Sequence, residues 1–464
     1  MERTISEIFA DYIASTNFDS LPQDVIEATK MSVLDSIGCI LGGYRTEIGG
    51  IVVKTIESFG SGQEATILGR GMKTNAPFAG FANSTMANIL DFDDFYMPVG
   101  HPGATIVPPA LAVGEKIGES GKAFLTSVLL GNEVSIRIGD AIRPSIQRQK
   151  TVWGVGTFQT FGAAVSAGKL LGLSRDQLVH AQGIAGTQAP VPSVCKTVLG
   201  PLGSTMVKNN YGAASEMGIL SAILAQHGFE GPKDIFDGPS GFWIMAGSDR
   251  CDFDVMTSRL GTDYKIRKLE YKPYPCCRWT HSPIDATLQT VRKNNLNVDE
   301  IEHIVVNSYY FCTKATLSNP RPKRLEEAVF STRFGIASAL LGIPVGSAWY
   351  TKERFSDPRV LDMIDRIELI EDEEANEVYP EKFLAKVTIH SKSDEYHGRV
   401  EYPKGGAQNP MGGEELVDKF RQIITDYMPA EKRDRLVDMI LHLEELNDVR
   451  SLTSLLVLDA GNGK

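Results

Sequence analysis

The sequence predicts a mostly helical protein with a smaller α+β domain. Helical patterns succeed one another through the first half, β-branched alternating runs begin only after about residue 265, and helical patterns return after about residue 405. We therefore predict a large all-helical domain formed by residues 1–265 and 405–464, and an α+β domain formed by residues 266–404.

The bulk composition is that of a globular protein. The chain has 464 residues, of which 42% are hydrophobic and 23% charged, enough for more than one domain. The net charge of −11, without a lysine–arginine cluster, argues against a nucleic-acid partner. We expect a cytoplasmic protein, because we find neither an apolar signal region nor a run of 18 apolar residues. The six scattered cysteines are expected to be reduced thiols.

The helical domain is predicted from three stretches. Residues 23–43 are apolar or small on nearly all faces and end in glycine, which predicts a buried helix. Residues 160–173 and 211–228 are rich in alanine and glycine, so we expect helix backbones that approach closely. Between them, Ser174 and Gln177 match a capping box.

The α+β domain is predicted from a change in the spacing of the hydrophobic residues along the chain. Residues 301–310 and 383–393 carry roughly alternating, β-branched runs typical of strands, and residues 331–342 between them form a helical pattern. Polar-patterned helices follow at 413–428 and 430–446, and we expect them to pack back on the helical domain.

Residues 91–103, DFDDFYMPVGHPG, place three aspartates close to a histidine. Pro108 and Pro109 suit the first turn of a helix that ends near Gly118, which puts His101 just upstream of a helix N-terminus. The positive end of the helix dipole destabilises a charged imidazolium there, so His101 is expected to be neutral and able to act as a base. The alternative is a solvated loop whose aspartates cap helices. A metal site is disfavoured, because no second histidine cluster supports it.

Residues 271–286, YKPYPCCRWTHSPIDA, form a second group of reactive side chains ahead of a predicted helix. Cys276 and Cys277 are interpreted as small buried thiols. His281 fits a polar contact at a helix end as well as it fits a functional group. Lys208, beside a helix of small residues, is interpreted from its pattern alone as solvated.

Several stretches together resemble the MmgE/PrpD family, in the family's order and over nearly the whole chain. The family includes 2-methylcitrate dehydratase, cis-aconitate decarboxylase and iminodisuccinate epimerase. The resemblance implies a large all-helical domain, a smaller α+β lid domain with the active-site cleft between them, usually a homodimer, and no metal or organic cofactor. The stretches are LPQDVIEATKMSVLDSIGCILGG, ANSTMANILDFDDFYMPVGHPGATIVPPALAVGE, TFGAAVSAGKLLGLS, MVKNNYGAASEMGILSAILA, YKPYPCCRWTHSPIDA and EEAVFSTRFGIASALL.

The resemblance also assigns catalytic positions. Asp91 and His101 fall on active-site positions of the family, and His281 matches the histidine of the lid domain. Lys208 matches the active-site lysine, with one residue fewer before the following glycine.

The resemblance further implies a substrate-binding group that differs from the decarboxylase-like members. Lys272 and Arg278 lie in the matching lid stretch and are expected to bind substrate carboxylates. Phe95 stands where those members have a threonine, and Trp153 stands where they have a histidine. We therefore expect a less polar pocket than one that binds tricarboxylates.

The implied chemistry is proton transfer at a carbon next to a carboxylate. His101, oriented by Asp91, is expected to transfer the proton, and His281 to protonate a leaving hydroxide or the opposite face of the carbon. We expect a cofactor-independent lyase that acts on a small carboxylic acid, with dehydration of a hydroxy-carboxylate as the leading reaction. Epimerisation, racemisation and decarboxylation are alternatives, and a non-catalytic carboxylate-binding protein is an alternative of another class.

Overall fold

The protein is mostly helical, with a smaller α+β part, which confirms the predicted fold class. The computed structural model describes residues 3–60, 62–97, 99–198, 204–207, 210–313, 315–392 and 394–458. None of the helices within these ranges is long and apolar enough to cross a membrane.

Long, largely buried helices make up the first part of the chain. The predicted capping box is confirmed, because the Ser174 hydroxyl accepts from the Gln177 amide and the Gln177 side chain accepts from the Ser174 amide. The longer helices are Ile5–Ser15, Gln23–Tyr44, Glu47–Ser58, Ala76–Asn88, Gly103–Ile117, Gly121–Ala141, Gln159–Leu170, Arg175–Gln188 and Tyr211–Gln226. Shorter ones are Ile146–Gln149, Val194–Thr197, Phe242–Met245 and Phe253–Thr257.

Small residues allow these helices to approach closely, as the sequence predicts. A Cβ built on Gly131 would lie 2.8 Å from the carbonyl oxygen of Gly162 in the neighbouring helix. Gly218 faces Ala163 in the same way. A larger side chain at these positions would separate the helix axes and open the core.

The helix after the aspartate-rich turn begins earlier than the sequence predicts. It starts at Gly103, so Pro108 and Pro109 lie in its interior rather than in its first turn. The Gly103 amide donates to Asp94 Oδ1 over 2.9 Å, which caps the helix at this earlier residue. The predicted end is confirmed, because the helix stops at Gly118 with a left-handed φ of 72°.

The α+β part contains a four-stranded sheet with helices beside it. The first pair of strands is parallel and the other two pairs are antiparallel, in the order Ile367–Glu371, Ile301–Ser308, Ala385–Ser391 and Glu395–Val400. Helix His281–Lys293 packs on this sheet, and a Cβ on Gly398 would collide with the side chain of Thr290. The other helices are Tyr310–Thr313, Leu325–Ala328, Thr332–Leu340, Pro358–Asp365 and Glu373–Glu377.

The last helices return to the first part of the chain. Phe420 and Ile423 of helix Gly413–Ile424 lie against Gly38 and Gly42 of an early helix. The limits at residues 265 and 405 stay a prediction. The remaining elements are the helices Ala430–Leu441 and Arg450–Leu455 and a two-stranded ribbon, Ala65–Thr66 with Lys73–Thr74.

Candidate active site

The turn after helix Ala76–Asn88 brings three aspartates into the interior. Asp91, Asp93 and Asp94 are all fully buried. Asp91 has a φ of 46°, in the left-handed region that few residues other than glycine adopt. Asn88 holds the turn, since its carbonyl accepts from the Asp91 amide at 2.9 Å and its side-chain amide donates to Asp93 Oδ1 at 2.8 Å. Strain of this kind clusters at functional sites.

His101 lies against this turn, two residues before the next helix. Its Nδ1 is 2.8 Å from the carbonyl oxygen of Asp94 and 3.3 Å from Asp93 Oδ2. A ring nitrogen that faces two acceptors carries the hydrogen, so we assign the lone pair to Nε2. Nε2 is 3.7 Å from Asp91 Oδ1. Asp93 and the Asp94 carbonyl therefore hold Nδ1, and the orienting role that the sequence predicts for Asp91, which lies beside Nε2, stays a prediction.

The carboxyl groups of Asp93 and Asp94 behave in opposite ways. Burial opposes ionisation of Asp93, but the neighbouring His101 and Lys272 outweigh it and hold the pKa of Asp93 below its ordinary value. Burial, reinforced by the charges of Asp35 and Asp93, raises the pKa of Asp94 well above its ordinary value. Of these two carboxyl groups, the charged one is thus Asp93.

Lys272 connects the α+β part to the aspartate-rich turn. Its ammonium contacts Asp91 Oδ1 and donates to the Asp91 carbonyl oxygen over 2.7 Å, and both side chains are fully buried. A backbone bridge sets this approach, because Phe95 and Glu270 exchange N–H···O bonds of 2.9 and 2.8 Å. The sequence reasoning expected Lys272 to bind a substrate carboxylate, whereas in this structure its charge is directed at Asp91.

A second buried lysine holds the turn from the C-terminal helices. Lys419 Nζ donates to Asp35 Oδ1 over 2.6 Å and to the carbonyl oxygen of Phe92 over 2.5 Å. It also lies 4.0 Å from the centre of the Phe92 ring. The aspartate-rich turn is therefore fixed from both sides by buried ammonium groups.

An open cavity borders His101. Phe95, Trp153 and Arg278 also line it, so four of the residues singled out in the sequence meet there. Cys277 lines it too; it is a buried thiol, as the sequence predicts, and it also borders the cavity. No local pattern distinguishes it from the preceding cysteine, and only the direction of the backbone before helix His281–Lys293 brings its side chain to the cavity.

His281 is not among the described residues that line this cavity. It is fully buried, with Nε2 3.1 Å from the Cys276 carbonyl oxygen and Nδ1 3.3 Å from Arg278 Nη1. Burial, followed by the charges of Arg278 and Lys272, lowers the pKa of His281 well below its ordinary value. His281 is thus a neutral imidazole that contacts Cys276 and Arg278, two residues of its own segment. Lys208 lies outside the described residues.

Tyr211 is a neighbour of His101 that the sequence reasoning missed. Its ring packs edge-on at 6.0 Å from the imidazole and is 1% exposed. Burial, together with the charges of Asp93, Asp91 and Asp94, raises the pKa of its hydroxyl well above the ordinary value. Among the described residues, this hydroxyl has no hydrogen-bond partner. A tyrosine that begins a helix of small residues carries no sequence signal for this position.

The same turn has the composition of a metal site. Ligand atoms of Asp91, Asp93 and His101 lie within 4.8 Å of one another. The Lys272 ammonium, however, already contacts Asp91 Oδ1, and a divalent cation would have to displace it or accept its repulsion. The absence of a metal requirement stays a prediction.

Comparisons with known proteins agree with this architecture. The MmgE/PrpD N-terminal domain family matches residues 7–252, and the MmgE/PrpD C-terminal domain family matches residues 274–445. The chain is 26% identical to a cis-aconitate decarboxylase of Aspergillus terreus (94% of this chain, 93% of that protein) and 25% identical to the one of Mus musculus (98% and 94%). It is 23% identical to the mitochondrial 2-methylcitrate dehydratase of Yarrowia lipolytica (94% and 86%). The chain therefore belongs to the MmgE/PrpD family.

Proposed function

We propose that this protein is a cofactor-independent lyase that removes a proton from the carbon next to a carboxylate, and that its leading reaction is dehydration of a hydroxy-carboxylate. One observation carries the proposal: His101 borders an open cavity while its Nδ1 is engaged by the Asp94 carbonyl at 2.8 Å. Nε2 then serves as the base, and Asp93 stabilises the imidazolium that forms. The names of the relatives, a decarboxylase and a dehydratase, support a lyase.

The dehydration needs a second group. When His101 takes the α-proton, the C–H electrons form the carbon–carbon double bond and the β-carbon–oxygen bond breaks. The departing hydroxide requires a proton. Cys277 lines the same cavity, and its thiol S–H can donate that proton. We assign this proton to Cys277 rather than to His281. The products are water and an α,β-unsaturated carboxylate.

The test is exchange of the α-proton in D₂O across a panel of hydroxy acids, before and after EDTA treatment. We expect exchange together with an unsaturated product, both unaffected by EDTA. Exchange that racemises the acid without loss of water would favour the epimerase alternative, and release of carbon dioxide would favour the decarboxylase alternative. Binding without any exchange would identify a non-catalytic carboxylate-binding protein and contradict the proposal. Activity that EDTA abolishes and a divalent ion restores would make the aspartate–histidine turn a metal site.

A further inference from the structure

The cavity beside His101 has one charged end and apolar walls. Its walls are formed mainly by aromatic and β-branched side chains. Among the described residues that line it, His101 and Arg278 are the basic side chains, and Tyr96 and Cys277 add a hydroxyl and a thiol. The wall residues that the argument uses are Phe95, Trp153, Val155, Val194, Val198 and Trp279.

The aromatic part of the wall is held in place by contacts outside the cavity. Trp279 stacks on Phe311 at 4.6 Å, and its indole N–H donates to the Tyr379 hydroxyl over 3.1 Å. The Trp153 ring lies 5.7 Å from that of Trp279. Because the polar atom of Trp279 is used elsewhere, the ring presents carbon to the cavity. The wall is therefore a fixed hydrophobic surface.

The charged end can hold one carboxylate. Three of the five N–H groups of Arg278 are directed at the carbonyl oxygens of Pro403 and Lys404 and at His281 Nδ1, as far as the described residues show. The guanidinium lies 5.1 Å from the centre of the Phe95 ring, so its face rests on the apolar wall. A carboxylate placed between this guanidinium and His101 would present its α-carbon to the base.

The remaining volume suits an apolar group. A second carboxylate on the substrate would be desolvated against the tryptophan and valine side chains, where the described residues offer no cationic partner. An alkyl chain or a phenyl ring would instead displace water from that surface.

We propose, resting on the function proposed above, that the substrate is a monocarboxylic hydroxy acid with an alkyl or aryl arm, and that dicarboxylic and tricarboxylic acids are poor substrates. The arm lies against Trp153 and Trp279. Arg278 binds the carboxylate at the reacting end.

The test compares 3-hydroxyhexanoate with 3-hydroxyadipate, which differ only in whether the far end of the chain is a methyl group or a carboxylate. We expect kcat/KM for α-proton exchange to favour the hexanoate on the order of 100-fold. Trp153→Arg, at a half-buried wall position, should reduce this ratio at least tenfold by giving the second carboxylate a partner. Val191→Arg adds the same charge at a position that is 77% exposed and outside the described lining, and it should leave the ratio unchanged.

The outcomes separate the two proposals. Exchange of the adipate at an equal or higher rate would overturn the apolar-arm inference and leave the proton-transfer function intact. No exchange with any acid of the panel would overturn the proposed function itself. If Trp153→Arg does not fold, as judged by thermal melting, the comparison rests on the wild type. With the wild type, hexanoate should inhibit α-proton exchange of 3-hydroxyhexanoate at a concentration on the order of 100-fold lower than adipate does. Equal inhibition by the two acids would overturn the inference.

Discussion

His101 and His281 are both buried histidines next to the start of a helix, but the charges around them have opposite signs. His101 has Asp93 Oδ2 at 3.3 Å and Asp91 Oδ1 at 3.7 Å. His281 has the Arg278 guanidinium at 3.3 Å. Carboxylates stabilise the imidazolium that forms when a base takes a proton, whereas a guanidinium opposes it. Two histidines in similar sequence contexts therefore differ in their capacity for proton transfer, and the difference comes from neighbours in space.

The largest expected effect is on catalysis at His101. His101→Gln should lower kcat for α-proton exchange on the order of 10²–10⁴-fold, because it removes the proton acceptor. His303→Gln is the matched control, since His303 is partly exposed and lies on strand Ile301–Ser308. Circular dichroism should show both variants folded. A rate for His101→Gln within tenfold of wild type would show that His101 is not the base and that the aspartate-rich turn has a structural role.

The next effect concerns the ion pair that connects the two parts of the protein. Lys272→Met should destabilise the protein by about 3–5 kcal/mol, because it leaves the buried Asp91 carboxylate without the ammonium that contacts it. Adding Asp91→Asn should recover part of that loss in urea unfolding while activity stays low. Lys382→Met, which removes one half of a partly exposed pair with Glu401, should change stability little. An equally small change for Lys272→Met would show that the buried pair is not needed for folding.

Features that depend on adjacent residues could be predicted from the sequence. The capping box at Ser174 and Gln177 and the glycine stop at Gly118 are each settled within one helical turn. The start of the helix at Gly103 could not be predicted, because the carboxylate that caps it belongs to Asp94, nine residues earlier in the chain. Because proline favours the first turn of a helix, Pro108 and Pro109 instead indicate a later start.

The candidate site shows the same limit. Asp91 and His101 belong to one short turn, so a sequence pattern could place them together. The contact between Lys272 and Asp91 joins residues 181 positions apart and requires the tertiary fold. Arg278 and His281 are only three residues apart, yet their effect on each other depends on burial, which no spacing reveals.

A smaller effect distinguishes the two candidates for the second proton-transfer group. Cys277→Ala should lower the rate of water loss on the order of 100-fold, with less loss in Cys277→Ser, which keeps a donor. His281→Gln should lower the rate less than tenfold but destabilise the fold by about 1–3 kcal/mol, because buried hydrogen bonds are lost. Rates and urea unfolding curves measured on the same preparations separate these effects. A larger rate loss in His281→Gln than in Cys277→Ala would return the proton donor to His281.

The smallest expected effect is on the pH dependence of stability, and it compares the carboxyl groups of Glu270 and Asp93. Burial, opposed by Arg278, raises the pKa of Glu270 to about 7, whereas the pKa of Asp93 beside His101 is lowered. Folded Glu270 keeps its proton up to that pH, while an unfolded glutamate loses it near about pH 4.3. The contribution of Glu270 to the free energy of unfolding is therefore complete below about pH 4.3 and is lost as the pH rises towards 7.

Glu270→Gln should remove one of several such contributions, because burial also raises the pKa of Glu133 to about 7 and the pKa of Asp94 well above its ordinary value. The decline in the free energy of unfolding between about pH 5 and 7 should become shallower by up to about 1.4 kcal/mol per pH unit, the slope that one proton produces. Asp93→Asn is the matched control. A carboxylate of lowered pKa contributes stability that is lost only as the pH falls below about 3.9, so this variant should leave the slope between pH 5 and 7 unchanged. A slope that Asp93→Asn flattens and Glu270→Gln does not would reverse the assignment of Asp93 as the charged and Glu270 as the neutral carboxyl group.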